Sequence, residues 1–188
     1  MSAVGEPGTK EPLTLEELEA SAGVRTGRKH ILSILVENKP GVLTRISGLF
    51  ARRGFNIDTL AVGPTDDPTL SRITLTLDGA MHPIDQVTKQ LHKLVNVIKI
   101  RDLEPADTVG RELALFKVAA DGAQRAEIVQ VTDVFRGKII DVTRRSVIVE
   151  VTGTWEKVEA FERMVRPFGL VEMARTGEIA ISRGRGET

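Results

Sequence analysis

The chain contains no cysteine, and this absence removes several kinds of chemistry at once. Without thiols there can be no disulfide, no thiolate nucleophile and no thiolate metal ligand, and such a composition is compatible with a reducing cytoplasm. Tyrosine is also absent and Trp155 is the one tryptophan, so a stacking surface for single-stranded nucleic acid has little support. The formal net charge is zero, which gives no global basic field for nucleic acid.

Long hydrophobic runs are missing as well. No apolar run approaches the roughly 18–20 residues needed to span a bilayer, and the segment Met1 to Lys10 lacks the basic-then-apolar order of a signal peptide. The histidines His30, His82 and His92 form no i, i+4 pair, so we expect no metal site. No nucleophile stands in a pattern with a base. We therefore expect a soluble cytoplasmic protein that has no catalytic set and does not bind membranes.

Regular hydrophobic patterns begin after an irregular N-terminal segment. Residues 1–28 are rich in Gly, Pro, Glu and Ser and predict a flexible arm. Strands are then predicted at 31–36, 56–62, 72–78 and 97–103, with helices ending near residue 53 and starting at Pro83. Right-handed crossovers turn this β-α-β-β-α-β order into a four-stranded antiparallel sheet with both helices on one face. Residues 29–104 are therefore predicted to form a ferredoxin-like α+β domain.

The same order of elements repeats after a predicted linker at residues 105–110, which has little apolar content. Residues 111–188 are predicted to form a second ferredoxin-like unit. Its strands are placed at 113–119, 138–144 and 146–152, with a helix at 125–135 and another capped by Thr154. Either 170–173 or 178–182 supplies the last strand. The fold class is thus α+β, with two βαββαβ units.

The first helix has a clear buried face in the sequence. Leu43, Ile46, Leu49 and Phe50 recur at spacings of three and four, which indicates one apolar stripe. Gly54 follows at the position where a glycine commonly ends a helix. The segment before this helix, Asn-Lys-Pro-Gly-Val-Leu at residues 38–43, is a strand-to-helix turn.

This turn is the strongest candidate for a binding site in the sequence. The first turn of a helix has N–H groups without intrahelical partners and a partial positive charge, so a carboxylate or phosphate is favoured there. Gly41 allows a ligand close to the backbone, and the amide of Asn38 offers an acceptor and donors. With the apolar surface of Val42 and Leu43, the turn would suit a free amino acid. An ordinary strand-to-helix turn explains the same residues, and both interpretations stay open.

In this context the sequence resembles a known family. The run HILSILVENKPGVLTRISGLFARRGFNIDTLAVGPTDDPTLSRITLTLDG, from His30 to Gly79, is similar to the ACT domain of acetolactate synthase (acetohydroxyacid synthase) regulatory small subunits. The resemblance continues through residues 92–95 and 97–103. The run FRGKIIDV at residues 135–142 resembles the C-terminal domain of that family. The implied architecture is an N-terminal ACT domain followed by an ACT-like domain.

The resemblance implies a regulatory role in branched-chain amino acid biosynthesis. Such subunits form homodimers through their ACT domains, with sites for a branched-chain amino acid, chiefly valine, at the dimer interface. The implied partner is a large catalytic subunit that carries thiamine diphosphate, Mg²⁺ and FAD, so no cofactor is expected on this chain. The implied effector residues are Asn38, Gly41, Val42 and Leu43 from one protomer and Asn56 and Ile57 from the other.

Two other functions remain compatible with the sequence. ACT-like folds also occur in stand-alone amino-acid-binding proteins and transcriptional regulators, although no helix-turn-helix and no basic face are evident here. The second alternative is an enzyme in its own right. The missing nucleophile, base and metal patterns argue against it.

Overall fold

The structure of this chain is a computed structural model, and it describes residues 29–78, 83–122 and 124–184. The predicted flexible arm at residues 1–28 lies outside the described residues. Within the described part of the chain, no helix is long and apolar enough to cross a membrane.

The first half contains four strands and two helices in the predicted order. They are β1 (Lys29–Glu37), α1 (Val42–Arg53), β2 (Thr59–Pro64), β3 (Leu70–Asp78), α2 (Ile84–Leu91) and β4 (Val97–Leu103). The sheet has the strand order β2-β3-β1-β4, and each neighbouring pair is antiparallel. The ferredoxin-like fold predicted for this half is confirmed.

The core of the first half follows from strand alternation, because successive side chains point to opposite faces of a sheet. One face of β1 and β3 packs against both helices, with Leu32 opposite Leu75 and Ile34 opposite Ile73. In α1 the buried residues are Val42, Ile46, Leu49 and Phe50. Leu43, which was predicted in the buried stripe, is 40% exposed. Val42 takes its place because it lies one turn before Ile46 on the same face of the helix.

The second half repeats this topology. Its elements are β5 (Thr108–Ala119), α3 (Gln124–Val134), β6 (Lys138–Val142), β7 (Ser146–Gly153), α4 (Trp155–Val165) and β8 (Leu170–Arg175). The strand order β6-β7-β5-β8 corresponds to that of the first sheet. Phe161 of α4 packs with Phe116 and Phe135, with ring centroids 5.0 and 5.4 Å away. Thr154 caps α4 as predicted, accepting a hydrogen bond from the N–H of Lys157.

The chain between the halves and the C-terminal segment differ from the predicted boundaries. The connection is a short 3-10 helix, Pro105–Asp107, and β5 begins at Thr108 inside the predicted linker 105–110. Both candidates for the last strand are strands: β8 completes the second sheet, and β9 (Ile179–Ser182) pairs with residues 108–111 of β5. The linker is shorter than predicted because its C-terminal part acquires this long-range strand partner.

The pairing of β9 with residues 108–111 of β5 makes a two-stranded segment, here called the ribbon, which joins the two halves. Ala180 of β9 forms a small buried cluster with Ile31 of β1 and Leu103 of β4. Ile31 lies on the face of the first sheet opposite the helices, because its neighbour Leu32 belongs to the core. The ribbon therefore covers part of the helix-free face of the first sheet.

Candidate functional site

The start of α1 is an open helix N-terminus. Gly41 occupies the N-cap in the left-handed region (φ 84°), no side chain caps the helix, and its first turn has no acidic residue. The N–H of Val42 donates to the carbonyl of Lys39 at 3.4 Å. The N–H groups of Leu43 and Thr44 have no partner among the described residues. Free donors and the positive end of the helix dipole together favour an anion at this point.

Asn38 is held beside this opening by the loop between β2 and β3. Its N–H donates to the carbonyl of Thr69 at 2.7 Å, and its Nδ2 donates to the carbonyl of Pro68 at 2.9 Å. In that loop the carboxylate of Asp67 accepts bonds from the Oγ1 and the N–H of Thr69, and these bonds lower the pKa of Asp67, with the Oγ1 bond the larger cause. The amide of Asn38 is thus fixed, and its Oδ1 has no partner among the described residues and can accept a bond from a ligand ammonium.

A network of polar side chains borders the other side of the opening. The carboxylate of Glu37 accepts bonds from Nζ of Lys39, at 3.0 Å, and from Nδ2 of Asn96. These two bonds lower the pKa of Glu37, with the Lys39 bond the larger cause. Oδ1 of Asn96 in turn accepts from the guanidinium of Arg45 at 3.2 Å. The network links β1, α1 and the segment before β4, and it holds the turn in place.

The remaining predicted site residues divide into two groups. Leu43 offers apolar surface at the opening, whereas the side chain of Val42 is only 6% exposed and belongs to the core. Asn56 and Ile57 follow the opposite end of α1. Asn56 is exposed and donates to the carboxylate of Asp58 at 3.2 Å, while Ile57 packs against the core.

One chain by itself does not bring the two groups of predicted residues together. The twelve residues of α1 separate them by about 18 Å, at a rise of about 1.5 Å per residue. The opening at Asn38 and Gly41 is therefore one part of the predicted site. Asn56 and Ile57 could complete it only from a second copy of the chain.

Sequence reasoning missed the residues that position Asn38. Pro68 is 30 residues from Asn38 in the chain, and Asn96 is 59 residues from Glu37. No local pattern reports pairs at such separations. The one available signal was the predicted β2–β3 hairpin, which places its connecting loop at the same end of the sheet as the end of β1.

The described residues show no arrangement suited to metal chemistry. Within 29–78, 83–122 and 124–184, no group of three or more His, Cys, Asp or Glu side chains could hold a metal ion. His30 instead lies 2.9 Å from the carboxylate of Asp102. The start of α1, with its free N–H groups, stays the candidate site for an anionic or zwitterionic ligand.

Family models match both halves of the chain. Residues 32–99 match the model described as an AHAS (acetohydroxyacid synthase) small subunit-like ACT domain, and residues 111–184 match the model for the small subunit of acetolactate synthase. With the observed topology, these matches define the class: an ACT-domain protein with a second ferredoxin-like domain.

Individual relatives are similar over most of their length. A probable acetolactate synthase small subunit from Methanothermobacter thermautotrophicus is 53% identical over 156 residues, which cover 82% of this chain and 93% of that protein. The acetolactate synthase small subunit of Mycolicibacterium smegmatis is 50% identical, with 82% and 91% covered. The crystal structure of the Thermotoga maritima small subunit superposes with a TM-score of 0.77 at 45% identity, covering 85% of this chain and 99% of that one. The chain belongs to the family of acetolactate synthase small subunits.

Proposed function

We propose that this chain activates the large catalytic subunit of acetolactate synthase and makes it sensitive to feedback inhibition by valine. The chain itself is non-catalytic in this proposal. The carbon–carbon bond chemistry, with thiamine diphosphate, Mg²⁺ and FAD, belongs to the large subunit. Family membership supports the pairing of a small with a large subunit.

The observation that carries the effector part of the proposal is the open start of α1 beside a fixed Asn38. Free N–H groups of Leu43 and Thr44 suit the valine carboxylate, and Oδ1 of Asn38 suits its ammonium. The half-exposed side chain of Leu43 offers apolar contact for the isopropyl group. These contacts match the functional groups of a free aliphatic amino acid.

The effector residues come from two protomers in this proposal. Asn38, Gly41, Val42 and Leu43 belong to one ACT domain, and Asn56 and Ile57 belong to the second copy. Valine then binds more tightly to the arrangement of the dimer in which both groups meet. A ligand shifts an equilibrium only by its difference in affinity between two states, and a shared site supplies such a difference.

The experiment combines the purified chain with its large subunit and measures acetolactate formation with and without valine. We expect several-fold activation, and inhibition by valine, for the natural sequence. Asn38→Ala and Gly41→Asp should retain activation and lose inhibition. Gly41→Asp places a carboxylate beside the N–H groups of Leu43 and Thr44, so the valine carboxylate loses its two charge-assisted hydrogen bonds to them. Each is worth about 1.5–3 kcal/mol, so half-inhibition should need at least about 100-fold more valine.

Gly41→Ala is the matched control, because it also places a Cβ on this left-handed residue but adds no charge. A Cβ at this position has open space around it, and the left-handed conformation costs a residue other than glycine about 1–2 kcal/mol. This variant should remain inhibited, with a modest loss of affinity. Unchanged inhibition of both Asn38→Ala and Gly41→Asp would show that the site is elsewhere. An absence of activation by the natural chain would contradict the regulatory role itself.

A further inference from the structure

Four residues lie together where the ribbon leaves the second sheet. They are here called the boundary cluster: Gly110, Glu112, Arg175 and Glu178. Glu112 is the first residue of β5 that pairs with β7, and the residue before it already belongs to the ribbon. The side chain of Glu112 is fully buried, and its Oε1 accepts a hydrogen bond from Nη2 of Arg175 at the end of β8. The cluster therefore contains a buried ion pair at the boundary between the two halves.

Strand alternation places Glu112 between two apolar clusters. Residues at every second position of a strand share a face, and Ala114 on this face of β5 belongs to the second core. Gly110, two residues in the other direction, pairs with Ala180, which packs on the first sheet. The face of β5 that contains Glu112 thus meets the second core on one side and the first sheet on the other. A carboxylate away from water is unfavourable unless it is paired, so Arg175 is needed at this position.

The second carboxylate of the cluster lies against the backbone of β5. A Cβ added to Gly110 would be 1.9 Å from Oε1 and 2.9 Å from Cδ of Glu178, so any side chain at position 110 would displace this carboxylate. Glu178 is 9% exposed and directly precedes β9. The pairing partner of β5 changes from β8 to β9 at this level, so Glu178 and Glu112 are on adjacent chain segments.

Apolar packing between the two halves is limited in extent. The buried apolar cluster that joins them consists of Ile31, Leu103 and Ala180, whereas each half has a larger core of its own. Gly177 adds a close contact, since a Cβ there would be 3.1 Å from the Cβ of Thr59. Thr59, Ile31 and Leu103 are in one row across the first sheet, so the chain from Gly177 to Ala180 crosses its strands. Domains joined by a small interface move relative to each other unless other contacts hold them.

The ion pair of the boundary cluster supplies such a contact. Oε2 of Glu112 and Nε of Arg175 are buried and have no hydrogen-bond partner among the described residues. An incompletely bonded buried pair adds little to stability, although loss of one partner leaves an uncompensated charge and is strongly unfavourable. Such a pair therefore selects one arrangement of the segments around it more than it stabilises the fold. The segments here are β5, the end of β8 and the chain that enters β9, which together set the direction of the ribbon.

We propose that the boundary cluster transmits the effector signal from the ACT domain to the second half, by holding the ribbon in one orientation on the first sheet. This inference rests on the proposed function and gives Glu112, Arg175 and Glu178 positioning roles in it. The cluster is remote from the proposed valine site: the ribbon packs at Ile31, and the chain from Ile31 to Asn38 spans about 23 Å at about 3.3 Å per residue. With the cluster intact, a shift of the first sheet turns the second sheet with it through β5. Without the cluster, valine binds but the second half has no fixed orientation that could respond.

The orientation of the halves can be measured in the full-length chain, because the absence of cysteine allows site-specific spin labels. Ile98→Cys on β4 and Val171→Cys on β8 place one exposed label in each half. Labelled chains are diluted into excess unlabelled chain, so that distances within one chain are measured. The natural background should give one narrow distance distribution, and Gly110→Ala and Glu112→Gln should each widen it at least about twofold. Gly122→Ala, where an added Cβ has open space, is the matched control and should not change the width.

Coupling is measured in the complex with the large subunit. By calorimetry, Gly110→Ala and Glu112→Gln should bind valine with an affinity within about threefold of that of the natural chain, but saturating valine should inhibit acetolactate formation less than about half as strongly. Gly122→Ala should retain full inhibition.

The outcomes separate this inference from the proposed function. Full inhibition or an unchanged distance distribution in both cluster variants would overturn the inference and leave the proposed function intact. Loss of valine binding in both variants would assign the cluster a structural role only, and would also overturn it. A natural chain that valine never inhibits would contradict the proposed function, and this inference with it.

Discussion

The two halves of the molecule share one topology but treat the start of their first helix in opposite ways. In the first half, α1 begins at Gly41 without a side-chain cap. In the second half, Oδ1 of Asp121 accepts a hydrogen bond from the N–H of Gln124 at 3.0 Å, and its carbonyl accepts from the N–H of Arg125 at 3.1 Å. The second helix start contains its own carboxylate, whereas the first has no side-chain cap.

In each half, a side chain beside the start of the first helix hydrogen-bonds to the hairpin loop, but the two side chains differ. Asn38 reaches the β2–β3 loop with its short amide. The guanidinium of Arg125 spans from the carbonyl of Ala120 to that of Thr143 at the end of β6. The long arginine fills the junction of the second half, while the asparagine leaves room beside Gly41. The two halves therefore share a topology and differ in the residues at this position, and it is such residues, not the fold, on which function depends.

The largest predicted difference between the halves concerns stability, because each half has its own hydrophobic core. Phe161 is fully buried in the second core, and the first core has its own set of residues. Phe161→Ala should lower the free energy of unfolding of the second half by about 3–5 kcal/mol. Native-state hydrogen exchange should show faster exchange at residues 114–118 and unchanged exchange at residues 32–36. Equal losses in both strands would show that the ribbon makes the halves one cooperative unit.

A smaller effect should distinguish the two helix starts. Asp121→Ala removes the cap of α3 and should lower the free energy of unfolding by about 0.5–2 kcal/mol. The valine concentration for half-inhibition should not change. Thr154→Ala, at the cap of α4, is the matched control and should have a similar cost. Urea unfolding and inhibition assays measure the two quantities. Loss of valine inhibition in Asp121→Ala would break the comparison, since it would place a ligand site in the second half as well.

The smallest predicted effect is a pH dependence of stability that arises from two carboxylates beside the start of α1. The pKa values of Glu37 and Asp67 are lowered from 4.5 and 3.8 in the folded chain. Their stabilisation is therefore complete above those ordinary values and is lost as the pH falls through the lowered folded values. We expect the urea midpoint to decrease slightly between about pH 5 and about pH 3. In the double variant Glu37→Gln, Asp67→Asn, the urea midpoint should decrease less over this pH range. A decrease as large as that of the natural sequence would contradict the prediction.

Local signals in the sequence predicted the fold well. Gly54 ends α1 and Thr154 caps α4, as their positions indicated, because capping depends on neighbours within one turn of helix. Strand boundaries were less accurate: the second strand was placed at 56–62 and is Thr59–Pro64. Asn56 is exposed, Ile57 packs against the core, and Asp58 bonds to β3 through its N–H and the carbonyl of Thr76. Sequence patterns do not distinguish these environments from a regular paired strand.

Whether the candidate site binds a ligand stays a prediction, but the placement of its residues can be compared with the structure. Gly41 lies at the strand-to-helix turn as predicted, because Pro-Gly is a local turn signal. Of the two apolar residues predicted for the site, Leu43 is exposed and Val42 faces the core. Periodicity left this rotation of one position ambiguous. Whether Asn56 and Ile57 join the site stays a prediction, because it depends on a second chain.

The sequence by itself determined the order of elements, the two-domain organisation and the place of the turn at Asn38 to Leu43, because these depend on periodicity and on residues close together in the chain. The tertiary structure decided which groups hold that turn, that Asp121 closes the equivalent turn of the second half, and that β9 crosses the first sheet. Such contacts join residues tens of positions apart. Their energy exists only after the sheets have formed, so no local pattern encodes them.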